Sequence, residues 1–595
     1  MKKQFIVAAA AAMALSAQAA TEYHAGDISN SVTWKASDTH SMTGRVNVLP
    51  GATLTIEKGT VIASDGGSLA IAAGAQIFAK GTKDAPIVFT SVNDNRTSWR
   101  PVCQEWGSLA IMGEGIISSH VYKGAVKNGS DVNTAAAVGT HTRTMEGLLD
   151  EGDGREIYGG NNDDYDAGTL SYISFRYGGK VLEDDDELNG LSLGGVGRET
   201  QVDHIEIMNN VDDGIEIWGG TVCLKYISIW NIGDDSLDCD QGWRGKVQHG
   251  LIVQGYSAEA KQGSGWGDNC IEMDGSEDSD CEPHTTSTLY NFTVIGNHTK
   301  GDHGMALRDN VRLQVRNSIF MDVPDDLIDE EADGDGGSGW DFAQGDTVDG
   351  AGDYTARTAL KSVPDLEDTY GIAFDAHSST GDISRITSAG FTTNGIYWAQ
   401  TDGYMNELTD TVLYNVRLGG HVASITNSGH AGYNAEVVSD LPIVSYSRGA
   451  EVSFSHLDGT NTVNLTVSPV TNLNPLAAND AVSADSLPTN DGFFDQVSYR
   501  GAFSPNYNWL AGWTAADEFG LVDTSANNTA TTIGSVATGI TFSFPSEAGI
   551  TYSVQRAATV GGTYSEVATV LGTGAELSYI DTTADASAFY KVVAQ

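Results

Sequence analysis

Carboxylates recur in this chain at a fixed interval, and the interval is what would give them a chemistry. Asp212-Asp213, Asp234-Asp235, Asp268-Asn269 and Asp302-His303 each precede a short apolar strand. Glu216, Asp238 and Glu272 stand at one position within those strands, with Asp329 next in Asp325-Asp326-Leu327-Ile328-Asp329. If the strands stack, two acidic columns make a stripe along one face. Like charges on adjacent turns repel by roughly 3 kcal/mol per pair at an effective dielectric near 20, and by less than ~1 kcal/mol in open water. A bridging divalent cation, protonation of alternate members, or solvent screening would each offset that. Asp212, Glu216, Asp238, Glu272 and Asp329 are therefore candidate metal ligands. All-oxygen donors suit Ca2+, and no organic cofactor is expected. Further acidic loops are Asn162–Asp166, Glu183–Glu187 and Asp329–Asp335; the last begins like an EF-hand loop but has Trp340 where the twelfth-position Glu belongs.

The elements that must position these groups are repeats. Gly51-Ala52-Thr53-Leu54-Thr55-Ile56 returns as Gly74-Ala75-Gln76-Ile77-Phe78-Ala79, an offset of 74 − 51 = 23 and the length of one turn of a β-solenoid. Segments beginning at Leu170, Val202, Leu224, Val247, Leu289 and Val315 share a second pattern, and Leu191, Ile215, Leu237, Ile271 and Met305 head a third. Strand alternation turns the first and third residues of that third pattern inward and the second outward. The expected fold is all-β: a right-handed parallel β-helix (solenoid) over residues 20–522, a linker at 523–532, and a small β-sandwich at 533–595. Further coils are expected at Gly395–Trp398 and Val412–Val416, with closure of the helix between Phe493 and Trp513. Tyr172, His204, Tyr226, His249, Asn291 and Asn317 fall at one bend and read as a structural ladder.

Residues 1–19 have a basic head, an apolar run too short to span a bilayer, and small residues before Ala20, the features of a signal peptide. The mature chain is expected outside the cytoplasm, secreted or at the cell surface, without a transmembrane segment. There, Cys270 and Cys281 are disulfide candidates, while Cys239 falls in an inward column as an inert thiol. Seventy-nine acidic against 32 basic residues give a formal charge of −47, which repels nucleic acid and excludes it as a partner.

The stretches Trp106–Gly113, Asp212–Gly220, Gly233–Asp238, Phe493–Phe503 and Ala511–Trp513 resemble a widespread group of exported bacterial β-helix proteins of the pectin-lyase-like kind. The likeness spans most of residues 45–515. Val211-Asp212-Asp213, Asp234-Asp235 and Asp302-His303-Gly304 more loosely resemble the active face of polygalacturonase-type glycoside hydrolases, which implies Asp213, Asp234, Asp235 and His303 as catalytic residues. Val211 replaces the Asn of that pattern, an extra coil at Asp268 intervenes, and no Arg-Ile-Lys follows. An inverting acid and base stand about 6.5 to 9.5 Å apart, a separation that Asp213 and Asp235 on adjacent coils would supply; paired acids at turns also arise for structural reasons. The final strand, Ala588–Val593, resembles fibronectin-type-III-like tail modules of secreted polysaccharide-active proteins. Two functions follow: a structural and binding protein, steadied by divalent cations, that contacts a polysaccharide or the cell envelope; or an enzyme that cleaves polysaccharide on the acidic face.

Overall fold

The computed structural model describes residues 21–594 except 119–136, 149–151, 184–185, 258–265, 277–282, 309–310, 331–359, 362–388, 405, 419–431, 459–460, 526–531, 537–538, 547–548, 558–563, 573–575 and 582–588. The expected signal peptide, most of the 329–335 loop and Cys281 lie outside them. The core is one long parallel sheet system coiled as a β-helix.

Each coil is built the same way. In one, Gln201–Met208 bends at His204 (φ 51°) and turns again at Asn209 (φ 61°), and Ile215–Trp218 forms the next face. The following coil repeats this with Cys223–Trp230, bends at Tyr226 and Asn231, and Leu237–Asp240. Backbone pairing runs straight up the coils through Ile56, Ala79, Leu170, Val202, Leu224, Val247, Leu289, Val315 and Leu408. A second interior file joins Val46, Leu69, Leu109, Leu191, Ile215, Leu237 and Ile271. These side chains are buried and form one continuous apolar core, so each coil closes the hydrophobic face that its neighbour leaves open.

The bends impose left-handed backbone on non-glycine residues, which costs about 1–2 kcal/mol each. Stacking offsets it. Ring centroids of Tyr172 and His204 are 4.0 Å apart, those of His204 and Tyr226 4.5 Å, and those of Tyr226 and His249 4.6 Å, with planes within 16° of parallel. Asn291 and Asn317 continue the column, with φ of 57° and 49°.

Three features depart from expectation. Residues 393–396 form a single helical turn, not a coil, whereas Val412–Tyr414 does stack as a coil on Ile319–Met321. Between Met112 and Gly168, where the chain rejoins the coil as Gly168–Arg176, the described residues include a pair outside it, Arg143–Thr144 antiparallel with Ile157–Tyr158. The stretch from Phe493 to Trp513 does not close the helix; it belongs to a strap laid along its outside. Asp495 bonds Lys225 Nζ at 2.8 Å and Tyr226 Oη at 2.9 Å, Trp513 packs edge-on against Tyr172 and His204, and the N–H groups of Ala515 and Ala516 donate to Glu206. The aromatic ladder thus seats the strap as well as turning the coil.

Beyond the strap, Thr532–Val536, Gly539–Pro545 and Glu576–Asp581 form one antiparallel sheet. Ser565–Leu571, Thr551–Ala557 and Phe589–Ala594 form another. Phe544 and Tyr552 bring the two together, ring centroids 5.4 Å apart. Among the described residues no helix is long and apolar enough to cross a membrane.

Candidate functional site

The stripe is real in register. Glu216 pairs with Asp238, Asp238 with Glu272, Glu272 with Ala306, and Ala306 with Asp329. Ala306 therefore separates Asp329 from the other carboxylates, and Asp329 instead lies 3.9 Å from His303 Nδ1.

The column before the strands is a hydrogen-bonded ladder. Asn189 Oδ1 accepts the N–H of Asp213 (3.0 Å), Asp213 Oδ1 that of Asp235 (2.9 Å), Asp235 Oδ1 that of Asn269 (2.6 Å), and Asn269 Oδ1 that of His303 (3.3 Å). Asp213 and Asp235 thus do for the backbone what Asn189 and Asn269 do on neighbouring coils. A glycine follows Asn189, Asp213 and His303 because the next coil comes too close for a side chain: a Cβ on Gly214 would lie 2.4 Å from the Ser236 carbonyl oxygen.

Carboxylates of the stripe gather into a cluster. Asp212, Asp213 and Asp234 each bring one carboxylate oxygen within 4.8 Å of the others, and Asp213, Glu216 and Asp238 do the same. Asp213 is shared. Asp238 Oδ1 is buried and has no hydrogen-bond partner among the described residues. Glu272 stands apart, held by Arg308 Nη1 at 2.6 Å and by Asn269 Nδ2 at 3.0 Å.

Surface position would have left this stripe hydrated, but a cover lies over it. Met145, Leu148, Tyr158 and Leu188 pack with Ala110, Met112 and Trp218 on the outer side of the sheet. Asp212, Asp213, Glu216 and Asp235 are all less than a tenth exposed. Burial, then the neighbouring carboxylates, pushes the acids of Asp212, Asp213, Glu216, Asp235 and Asp238 well above the usual carboxylate range. Burial and Asp268 raise Asp234 to about 7, and burial and Asp302 raise Asp268 to about 6. A site of this kind holds protons or a hard cation; the all-oxygen donor set and the orphaned Asp238 oxygen fit Ca2+.

Of the expected metal ligands, the structure groups Asp212, Glu216 and Asp238, and adds Asp213 and Asp234. His303 sits at the more open end, its Nδ1 3.0 Å from Asp302 Oδ1. Cys270 is buried in the core and has no disulfide partner among the described residues, which do not include Cys281, and Cys239 is buried in its inward file. Sequence reasoning missed Asn189 as a ladder member, although Asn189-Gly190 aligns with Asp213-Gly214. It also missed Tyr158 in the cover, for which no local signal exists.

Coils, ladder and covered stripe define a parallel β-helix protein with a buried carboxylate cluster on one face. The chain belongs to the family described as pectate-lyase like beta helix domain, which it matches over residues 26–339. No curated protein and no solved structure matches it.

Proposed function

We propose that this chain is an exported structural and binding protein with a carbohydrate-related role, contacting a polysaccharide or the cell envelope, and that divalent cations neutralise its acidic stripe. The observation carrying this reading is that Asp213 and Asp235 each give an oxygen to the backbone ladder and are buried. A polymer backbone needs an open groove, and a carboxylate fixed by a backbone N–H is poorly placed to activate water. Family membership supports the carbohydrate-related part, and the paired carboxylate triads support the cation.

Hydrolysis or elimination of polysaccharide is the competing reading, with Asp213, Asp234, Asp235 and His303 as its catalytic groups. The test is incubation with acidic and neutral polysaccharides, followed by reducing-end and unsaturated-product assays, on the native protein and on Asp235→Asn. Our reading expects retention of one or more polysaccharides in affinity electrophoresis with no product from either protein. Product that disappears in Asp235→Asn would establish the enzyme instead.

A further inference from the structure

The first coil brings together residues that none of the preceding chemistry uses. Thr21–Ile28 runs parallel to Thr39–Val48, and the register sets Glu22 beside His40. Alternation along the strand puts His24 on the same face as Glu22. The result is two imidazoles and a carboxylate at the N-terminal end of the coil: His24 Nε2 is 2.9 Å from His40 Nδ1, and Glu22 Oε2 is 3.7 Å from the same nitrogen. All three donor atoms lie within 4.8 Å of one another.

The geometry around His40 is that of an oriented ligand. Its ring is fully buried, and Nε2 lies 3.1 Å from the carbonyl oxygen of Lys35. A carbonyl only accepts, so Nε2 carries the proton and Nδ1 presents its lone pair to His24 and Glu22. Fixing one ring nitrogen through an N–H to a backbone carbonyl is how metal-binding histidines are held. Trp34 backs the pair, stacked on His24 at 4.4 Å and on His40 at 5.3 Å.

We propose that Glu22, His24 and His40 form a second metal site, selective for a late first-row divalent ion such as Zn2+, Ni2+ or Cu2+. Two imidazoles and one carboxylate suit such ions, whereas the stripe offers oxygen alone and suits Ca2+. Tetrahedral ligation at about 2.0–2.1 Å per bond places two nitrogens roughly 3.3 Å apart, so the His24–His40 pair opens by a few tenths of an ångström on loading. Three protein donors leave a position for water. The ion would tie the first strand to the second coil.

The test uses untagged full-length protein in excess Ca2+, titrated with Co2+ as the spectroscopic probe. One equivalent should bind with the visible absorption of nitrogen-ligated, low-coordinate Co2+, and Zn2+ should displace it. In His24→Ala, whose side chain is half-buried and whose loss leaves the core intact, that absorption should vanish. In Glu22→Gln the affinity should fall at least tenfold. Circular dichroism of both variants should match the native protein. Absence of the absorption, or the same absorption in His24→Ala, would overturn the proposal.

Discussion

Chelation should lower the melting temperature by several degrees at pH 8 and by much less at pH 5, measured by differential scanning calorimetry in EDTA and in millimolar Ca2+. Asp234, raised to about 7 by burial and by Asp268, and Asp268, raised to about 6, set the window. Unfolded, both titrate near 4. A folded pKa above the unfolded one means that the stabilising contribution is complete below about pH 4 and is lost as pH rises through 6 to 7. At pH 8 without cations Asp234 and Asp268 are ionised, and they repel each other and the acids beside them. Calcium then removes the repulsion, and binding at a hundredfold its dissociation constant adds about 2.7 kcal/mol. At pH 5 protons already occupy these oxygens and compete with the ion. Buried His249, whose pKa is lowered by desolvation, favours the opposite pH trend, but it contributes equally with and without calcium and cancels in the difference. Asp234→Asn should shrink the pH 8 effect. Equal calcium effects at the two pH values, or a larger one at pH 5, would remove the cation from the account.

Asp495→Ala should release the strap while leaving the coil folded. The carboxylate binds Lys225 at 2.8 Å and Tyr226 at 2.9 Å and faces His249 at 3.5 Å, and the Asp495 N–H donates to Gln248 Oε1 at 2.7 Å. Burial alone would raise its pKa; His249 and Lys225 outweigh that and hold it well below the ordinary carboxylate range. The contribution is therefore present above about pH 4 and is lost as pH falls through the folded value. Removing one partner of a largely buried pair costs about 3 kcal/mol, roughly a hundredfold in local opening. Hydrogen exchange should accelerate by that factor at Gly501 and Ala502, whose amides donate to Asn317 and Thr293. Amides of Ile215–Trp218 should keep their protection. Uniform acceleration across both regions would mean that strap and coil unfold together.

The amino-acid sequence by itself determined the coil, because its information is local and repeated. Ile215, Leu237 and Ile271 recur with the period of the backbone, and each copy restates the same alternation, so the interior file and the acidic file beside it could be read without coordinates. The bend column from Tyr172 to Asn317 was legible for the same reason. Gly395–Trp398 misled because a short apolar run looks alike in a strand and in a helical turn. The register of the stripe was legible, but its environment was not. Whether Glu216 faces water or lies near Tyr158 depends on where the segment between Met112 and Gly168 folds back, and the course of the strap depends on partners such as Glu206 and Ala515, 309 residues apart. His24 and His40 likewise belong to no repeat and meet only through the pairing of the first strands. Periodicity encodes what stacks on itself; contacts made once, between distant segments, leave no periodic trace, and it is those contacts that decide burial, and through burial the raised pKa values of Asp212, Asp213, Glu216, Asp235 and Asp238.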